Sequence, residues 1–195
     1  ALNILISPLD WGLGHASRMI PLLRQLEAQG HHLMIGVSEL TSPFIKEHIS
    51  KAHYYQVPSY GIKYSKWDSF LSFVALGPRI LKAKREEYVW VEKFVTTHSV
   101  DLIISDSRFG FRHPHIKSII LSHQLKLQFP KYFKGLGKWA QKVNERWLSA
   151  FDEIWVPDAE DHYLSGDLSE NPGLKYELLG IQSRFEKGEE SSPEK

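Results

Sequence analysis

The sequence predicts an α/β fold built on a doubly wound parallel sheet. Short apolar runs recur along the 195-residue chain, as strands that are buried on both faces require. Segments whose apolar residues follow helical spacing separate most of these runs, and glycine or proline stands at many of the junctions. Strands that alternate with helices favour parallel pairing with right-handed crossovers.

The order of the elements can be predicted along the whole chain. The predicted strands cover residues 2–6, 32–37, 54–57, 101–106, 117–121, 153–156 and 176–179. The predicted helices cover residues 14–29, 41–49, 65–98 and 135–150. Pro21 predicts a kink in the first helix unless the regular helix begins there, and Gly77-Pro78 predicts an interruption of the third helix.

The composition is that of an ordinary globular domain, with 42% hydrophobic and 24% charged residues. The chain has no cysteine, which excludes disulfides and cysteine zinc sites and suits a reducing compartment. We expect no signal peptide, because the sequence opens directly on a predicted strand, and no stretch reaches the roughly 20 apolar residues of a membrane-spanning helix. We expect a cytoplasmic protein with one domain over residues 1–183 and a polar, acidic linker or disordered tail over residues 184–195.

The net charge of +1 hides an asymmetry along the chain. Residues 1–151 hold 20 Lys and Arg against 11 Asp and Glu, whereas residues 152–195 hold 4 against 12. Residues 112–144 contain seven basic residues and no acidic one, so this run can attract phosphate, nucleic acid or lipid headgroups. We expect no nucleic-acid partner, because no nucleic-acid motif is recognisable and the acidic C-terminal quarter opposes such binding.

A glycine-containing loop follows the first predicted strand and reads Gly12-Leu13-Gly14-His15-Ala16-Ser17-Arg18. Ligands of open parallel sheets bind beyond the carboxyl ends of the strands, where this loop is expected. Gly12 and Gly14 allow a tight turn and close approach to a ligand, and the following helix N-terminus favours an anion or a hydroxyl-rich ligand. His15 is either a base that titrates near neutral pH or the capping residue of a tight turn. The loop lacks the ending of a Walker loop and the third glycine of a dinucleotide fingerprint.

Several segments, in order along the chain, resemble the N-terminal domain of GT-B glycosyltransferases. They are Leu5-Ile6-Ser7 with residues 11–18, residues 101–106, Leu121-Ser122-His123-Gln124, Trp155-Val156-Pro157-Asp158 and residues 180–185. The sequence is similar to glycosyltransferase family 28, including the peptidoglycan N-acetylglucosaminyltransferase, and to the UDP-glycosyltransferases. This resemblance implies a Rossmann-like acceptor-side domain, a nucleotide-sugar donor held mainly by a separate C-terminal domain, and no metal or cofactor.

The resemblance also implies roles for two residues. His15 matches the histidine that acts as general base on the acceptor hydroxyl in UDP-glycosyltransferases, and Asp106 matches the aspartate that often orients it. A carboxylate beside an imidazole fixes its tautomer and stabilises the imidazolium that proton abstraction creates. A role as a loop cap is the alternative for Asp106.

Polar residues after the neighbouring strands are candidate acceptor contacts. Arg108 and Arg112 suit a phosphate or carboxylate, or are solvated surface residues. The substrate-binding candidates are Gly12, Gly14, Arg18, Ser107, Arg108, Arg112, His123 and Gln124. His113, His115 and His123 raise the alternative of a metal site, which we do not expect, because no acidic residue with suitable spacing accompanies them.

Two stretches, residues 67–85 and 129–142, mix aromatic and basic side chains. Such a mixture suits an anionic membrane face or a lipid-linked acceptor, and the resemblance to the peptidoglycan enzyme implies peripheral contact at the inner face of the membrane. Alternatively, the aromatic residues pack on the sheet and the lysines face water.

These observations favour the N-terminal domain of an inverting transferase that moves a sugar from a nucleotide-sugar to an acceptor hydroxyl, with the isolated chain inactive. The N-terminal half of a UDP-sugar 2-epimerase, which shares the two-domain architecture, is a second candidate. A non-catalytic anion-binding Rossmann module is a third.

Overall fold

The computed structural model describes residues 1–61, 70–127, 134–158, 171 and 173–180, without the side chains of residues 70–76 and 134. The strands are β1 (Asn3–Pro8), β2 (His32–Val37), β3 (Ala52–Gln56), β4 (Leu102–Asp106), β5 (Ser118–Leu121), β6 (Glu153–Val156) and β7 (Glu177–Leu178). The helices are α1 (Leu13–Ala28), α2 (Ser42–His48), α3 (Phe70–Val95) and α4 (Lys134–Leu148). The predicted tail, residues 184–195, lies outside the described residues.

Seven strands of the described chain form one sheet in the order β3-β2-β1-β4-β5-β6-β7, and every neighbouring pair is parallel. The predicted doubly wound α/β fold is therefore confirmed. The chain extends the sheet from β1 to β3 in one direction and then returns to the other side of β1 with β4. Pro8 at the end of β1 pairs with Asp106 at the end of β4. Connections that leave two such strands diverge and open a crevice between them.

Alternate strand residues bury opposite faces of the sheet, which explains the uninterrupted apolar runs. Ile4, Ile6 and Ile104 pack in one cluster with α1 residues such as Leu23. Leu5 and Ile103 pack on the other face with the α3 residues Val91 and Phe94. A further cluster contains Leu148 of α4 with Ile120 and Ile154, so α4 covers β5 and β6 on the same face as α3.

The predicted interruption of the third helix is wrong, because α3 runs without a break through Pro78. Pro78 removes one backbone hydrogen bond, but later turns of α3 are anchored by the buried side chains of Ala83, Val91 and Phe94. The helix α1 likewise contains Pro21 between the buried residues Ile20 and Leu22. Buried side chains on both sides of Pro21 in α1, and after Pro78 in α3, outweigh the local preference of proline to end a helix.

The connection from β4 to β5 contains no helix and crosses the face that α3 covers. Phe111 of this segment is fully buried and its ring stacks 5.8 Å from that of Trp90 on α3. At Gly110 a Cβ atom would lie 2.0 Å from the backbone oxygen of Lys84, so only glycine allows this approach. The segment therefore packs directly against α3.

Candidate active site

The first turn of α1 faces open space just beyond the end of β1. Gly12 precedes the helix with φ of 86° and ψ of −178°, a conformation essentially restricted to glycine. Gly12 provides no side-chain cap, and the first turn contains no acidic residue. Apart from its chain neighbours and the backbone of α1 itself, no atom of the described chain lies within 4 Å of the position that a Cβ of Gly14 would occupy. The free N–H groups and the positive end of the helix dipole are thus unobstructed here.

His15 and Asp106 meet at the crevice between β1 and β4. The Nδ1 atom of His15 lies 3.0 Å from Oδ2 of Asp106. The Asp106 side chain is fully buried, whereas that of His15 is 18% exposed. The sheet topology thus brings together two residues that are 91 positions apart in sequence.

Arg18 lies one helical turn after His15 and joins the same cluster. Its Nε atom donates to Oδ2 of Asp106 over 3.2 Å, and its Nη2 atom donates to Oδ1. Nη2 also lies 2.8 Å from Nδ1 of His15 and 3.3 Å from Oγ of Ser107. One guanidinium thus spans the whole carboxylate in the two-pronged geometry that makes such pairs strong.

The environment of Asp106 keeps its carboxylate ionised. Burial alone would raise its pKa, but the charge of Arg18, then that of His15, and their hydrogen bonds lower it to about 2. At neutral pH the cluster therefore contains one fixed anion and one fixed cation.

His123, which follows β5, contacts the other end of the guanidinium. Its Nδ1 atom lies 2.7 Å from Nη1 of Arg18. Burial, together with the nearby charges of Arg18 and His15, lowers the pKa of His123 to about 4. His123 is therefore a neutral imidazole near pH 7.

Ser107 and Gln124 also lie at this edge of the sheet. Ser107 has a φ of 59°, in the left-handed region that few residues other than glycine occupy, and its amide donates to the carbonyl of Leu121. Gln124 has an exposed side chain, and its carbonyl accepts a hydrogen bond from Asn144 of α4. Ser107 contacts the cluster through Arg18, whereas Gln124 lies beside it on the adjacent loop.

Arg108 lies inside the molecule and not at the crevice. Its side chain is 1% exposed, and Nη1 and Nη2 donate to the carbonyls of Pro8 and Pro58. Nε lies 2.9 Å from Oε1 of Glu87, in an ion pair whose atoms are not aligned for a hydrogen bond. We therefore omit Arg108 from the candidate acceptor site.

Arg112 does not reach the cluster either. The chain after β4 runs along α3, and the guanidinium of Arg112 lies 5.7 Å from the ring centroid of Tyr88 on that helix. It is partly buried on this helix face. The sequence analysis predicted both arginines at the acceptor site because it assumed that residues following a strand stay near the end of that strand.

Sequence reasoning missed a second polar cluster around Arg108. Glu87 of α3 is fully buried and accepts hydrogen bonds from the Tyr60 hydroxyl and the Gly110 amide, each over 3.0 Å. The buried carboxylate of Asp10 lies 3.8 Å from Arg108. Burial raises the pKa of Glu87, although the Arg108 charge opposes this shift. The sequence contained one signal of this cluster: Glu87 is spaced four positions from the apolar residues Ala83 and Val91, which puts it on the buried face of the helix.

Neither a metal-binding cluster nor a membrane-spanning helix occurs among the described residues. No group of three or more His, Asp or Glu side chains there is arranged to hold a metal ion. No helix in the described part combines the length and apolar character needed to cross a bilayer.

The fold is that of glycosyltransferases with the GT-B architecture, which cover most of this chain when superposed on it. No protein-family profile and no curated protein matches the sequence. A UDP-glucosyltransferase from Polygonum tinctorium that glucosylates indoxyl has a TM-score of 0.60 at 11% identity, over 97% of this chain and 54% of its own.

Two further solved glycosyltransferases share this fold over most of the chain. The glycotransferase of kitacinnamycin has a TM-score of 0.63 at 14% identity, over 92% of this chain and 51% of its own. UGT2 of Phytolacca americana, solved with UDP-2-fluoro-glucose and pterostilbene, has a TM-score of 0.62 at 10% identity, over 93% and 55%. The chain therefore spans about half the length of these enzymes, and at such identities the likeness concerns the fold.

Proposed function

We propose that this chain is the acceptor-side domain of an inverting, nucleotide-sugar-dependent glycosyltransferase in which His15 is the general base. The observation that carries the proposal is the 3.0 Å contact between Nδ1 of His15 and the buried carboxylate of Asp106. This pair lies at the topological switch point, the usual ligand position of such sheets. The GT-B fold of the chain supports the same reaction class.

The proposed reaction uses the two ring nitrogens of His15 differently. With a proton on Nδ1 directed at Asp106, Nε2 is free to accept the proton of an acceptor hydroxyl. The acceptor oxygen then bonds to the anomeric carbon from the face opposite the nucleotide. The bond from that carbon to the diphosphate oxygen breaks, and the nucleoside diphosphate leaves with the electron pair. Asp106 stabilises the imidazolium that results.

The proposal divides the substrates between two domains. Gly12, Gly14, Arg18, Ser107, His123 and Gln124 form the proposed acceptor-side surface, since they surround or adjoin the His15–Asp106 pair. The nucleotide-sugar binds mainly to a second domain of a longer protein. Neither a metal nor an organic cofactor takes part.

The full-length protein tests this function directly. We would incubate it with UDP-glucose or UDP-N-acetylglucosamine and a panel of phenolic, amine and sugar acceptors, and measure UDP release and product mass. We expect His15→Gln to lower the rate at least about 100-fold, the usual contribution of a general base. The matched control is His53→Gln, which removes an exposed histidine of β3 and should leave the rate unchanged.

The same reactions separate the alternatives. Conversion of the nucleotide-sugar to its C2 epimer without an acceptor would support the epimerase instead. No turnover, combined with phosphate-dependent binding, would support the non-catalytic module. Full activity of His15→Gln would contradict the assignment of the base.

A lipid-linked acceptor is a second proposal, which the surface of α4 favours. Trp139 is 63% exposed and Leu136 is 40% exposed, next to the exposed Lys138 and Lys142. This combination suits peripheral contact with the anionic inner face of a membrane. The aromatic residues of the first mixed stretch, residues 67–76, lie outside the described side chains.

Liposome flotation tests this contact. We expect the protein to float with phosphatidylglycerol vesicles more than with phosphatidylcholine vesicles, and Trp139→Ser to reduce the difference. Leu40→Ser is the control, because Leu40 is 53% exposed but lies between β2 and α2. Equal binding to both kinds of vesicle would contradict the proposal.

A further inference from the structure

Two imidazoles share one guanidinium in the candidate active site. Nη1 of Arg18 lies 2.7 Å from Nδ1 of His123, and Nη2 lies 2.8 Å from Nδ1 of His15. The guanidinium is planar, always protonated in proteins and able only to donate hydrogen bonds. It therefore constrains where each imidazole carries its proton.

The position of the proton on His123 follows from this contact. Because Nη1 of Arg18 only donates, Nδ1 of His123 must offer its lone pair, and the ring proton resides on Nε2. A doubly protonated ring would direct an N–H group at an N–H group. Burial and the charges of Arg18 and His15 keep the pKa of His123 low, against the opposing effect of Asp106 and Asp158.

His15 has the opposite requirement. Its Nδ1 atom faces both Oδ2 of Asp106, which only accepts, and Nη2 of Arg18, which only donates. Nη2 has two other acceptors, Oδ1 of Asp106 and, at 3.3 Å, Oγ of Ser107. A proton on Nδ1 of His15 that is donated to Asp106 thus leaves every member of the cluster with a partner.

The outward nitrogen of His123 is available to a ligand. The ring is partly exposed, and no described residue accepts a hydrogen bond from Nε2. Nε2 is also absent from the few buried side-chain atoms of the described chain that lack a partner. Among the described residues the Nε2–H group therefore has no acceptor and can donate to a ligand.

We propose that Arg18 and Asp106 impose opposite tautomers on the two histidines, Arg18 that of His123 and Asp106 that of His15, so that His15 presents a basic Nε2 and His123 an Nε2–H that donates to an uncharged oxygen of the acceptor. Arg18 is then a positioning residue, and the recognised class is an acceptor whose reacting hydroxyl has a second hydroxyl or carbonyl oxygen nearby. The part played by His15 rests on the proposed function, whereas the tautomer of His123 does not.

Nuclear magnetic resonance of the ¹⁵N-labelled 195-residue chain tests the tautomers without any ligand. Long-range ¹H–¹⁵N spectra distinguish a protonated from an unprotonated ring nitrogen. We expect His123 to keep a proton on Nε2 alone from pH 8 down to pH 5 and to gain charge only near pH 4. We expect His15 to carry its proton on Nδ1 at pH 8. His53, on the exposed face of β3, serves as the internal reference.

Two variants connect the tautomers to Arg18. In Arg18→Met, His123 loses the donor to Nδ1, and we expect a mixture of tautomers and a pKa at least one unit higher. Arg18→Lys keeps the positive charge but not the planar pair of donor nitrogens. It should give mixed tautomers of His123 with a smaller rise in the pKa of that residue. A proton on Nδ1 of His123, or a charged ring at pH 6, in the unaltered chain would overturn the proposal, and that measurement requires no variant to fold.

Kinetics of the full-length protein test the donor role, with the donor and acceptor pair that the activity screen identifies. In His123→Gln the amide nitrogen lies near the position of Nε2, whereas in His123→Asn it lies near Nδ1. We expect acceptor KM to rise about tenfold in His123→Asn and clearly less in His123→Gln, because only the Gln amide keeps an N–H donor near the position of Nε2. Equal effects of Asn and Gln would overturn the donor role. Loss of turnover in His15 variants tests the proposed role of His15 as base and does not bear on the donor role of His123.

Discussion

Asp106 is a fully buried carboxylate that stays charged because several donors surround it. An isolated anion in such a position would be neutralised by protonation, since burial disfavours the charged form. The two-pronged contact from Arg18 and the contact from His15 reverse this effect and lower the pKa of Asp106 to about 2. The same contacts that would fix the base for catalysis therefore also contribute to stability.

The pH dependence of unfolding should reveal this contribution. The pKa of Asp106 is depressed in the folded state from its ordinary value of 3.8 to about 2. Its stabilisation is therefore complete above about pH 4 and is lost as the pH falls through about 2. A difference of this size corresponds to about 2 kcal/mol.

Urea denaturation between pH 5 and pH 2 measures it. We expect the free energy of unfolding to fall by about 2 kcal/mol more in the unaltered chain than in Asp106→Asn, which has no titrating group at this position. Glu47→Gln, a change of an exposed carboxylate on α2, should retain the full pH dependence. Parallel curves for the unaltered chain and Asp106→Asn would contradict the assigned shift.

At the scale of elements, Arg108 joins three parts of the chain beneath the candidate site. It contacts the end of β1 through the Pro8 carbonyl, the segment after β3 through the Pro58 carbonyl, and α3 through Glu87. These contacts fix the loop that leads from β1 to Gly12. A buried charge that loses its partner is strongly destabilising, whereas removal of both charges costs less.

Arg108→Met should therefore lower the free energy of unfolding by about 3 kcal/mol, because Glu87 and Asp10 remain buried without their cation. The double variant Arg108→Met/Glu87→Gln should be more stable than Arg108→Met alone. Urea denaturation at pH 7 measures both. If Glu87→Gln lowers the free energy of unfolding further in the Arg108→Met background, the two side chains are not coupled as their 2.9 Å contact implies.

The approach of the β4–β5 connection to α3 makes a separate prediction about glycine. In Gly110→Ala the new methyl group would lie 2.0 Å from the Lys84 carbonyl oxygen and 2.9 Å from Cβ of Glu87. We expect a loss of at least about 2 kcal/mol, as for other overpacked sites. Gly135→Ala on α4 is the matched control, since no side chain of the described residues lies within 4 Å of its new methyl group, and it should be neutral or slightly stabilising. Equal thermal midpoints for the two variants would contradict the close approach.

The elements differ in how far the sequence could predict them. Apolar runs and helical spacing predicted every strand of the sheet, because both faces of a parallel sheet must be apolar. The continuity of α3 through Pro78 could not be predicted, since distant packing decides it. The chemistry divides in the same way. The pairing of His15 with Asp106 follows from strand order, whereas the inward position of Arg108 depends on the path of the β4–β5 connection.

For the whole molecule, the position of the cluster limits what these residues can bind. The chain spans about half the length of the enzymes whose fold it shares. The His15, Asp106 and Arg18 side chains lie at one edge of the sheet. The exposed first turn of α1 beside them is the part of this edge suited to an approaching substrate. A nucleotide held mainly by a second domain would meet this edge only from across a cleft.

Isothermal calorimetry of the 195-residue chain with UDP tests whether the nucleotide binds mainly to a second domain. We expect a Kd of about 1 mM or weaker, corresponding to roughly −4 kcal/mol, because the first turn of α1 and Arg18 offer few contacts to a diphosphate. The full-length protein should bind UDP at least about tenfold more tightly, and His15→Gln should leave that affinity unchanged, since His15 is proposed to act on the acceptor. Micromolar binding of UDP by the 195-residue chain would place the donor site on this domain and contradict the division.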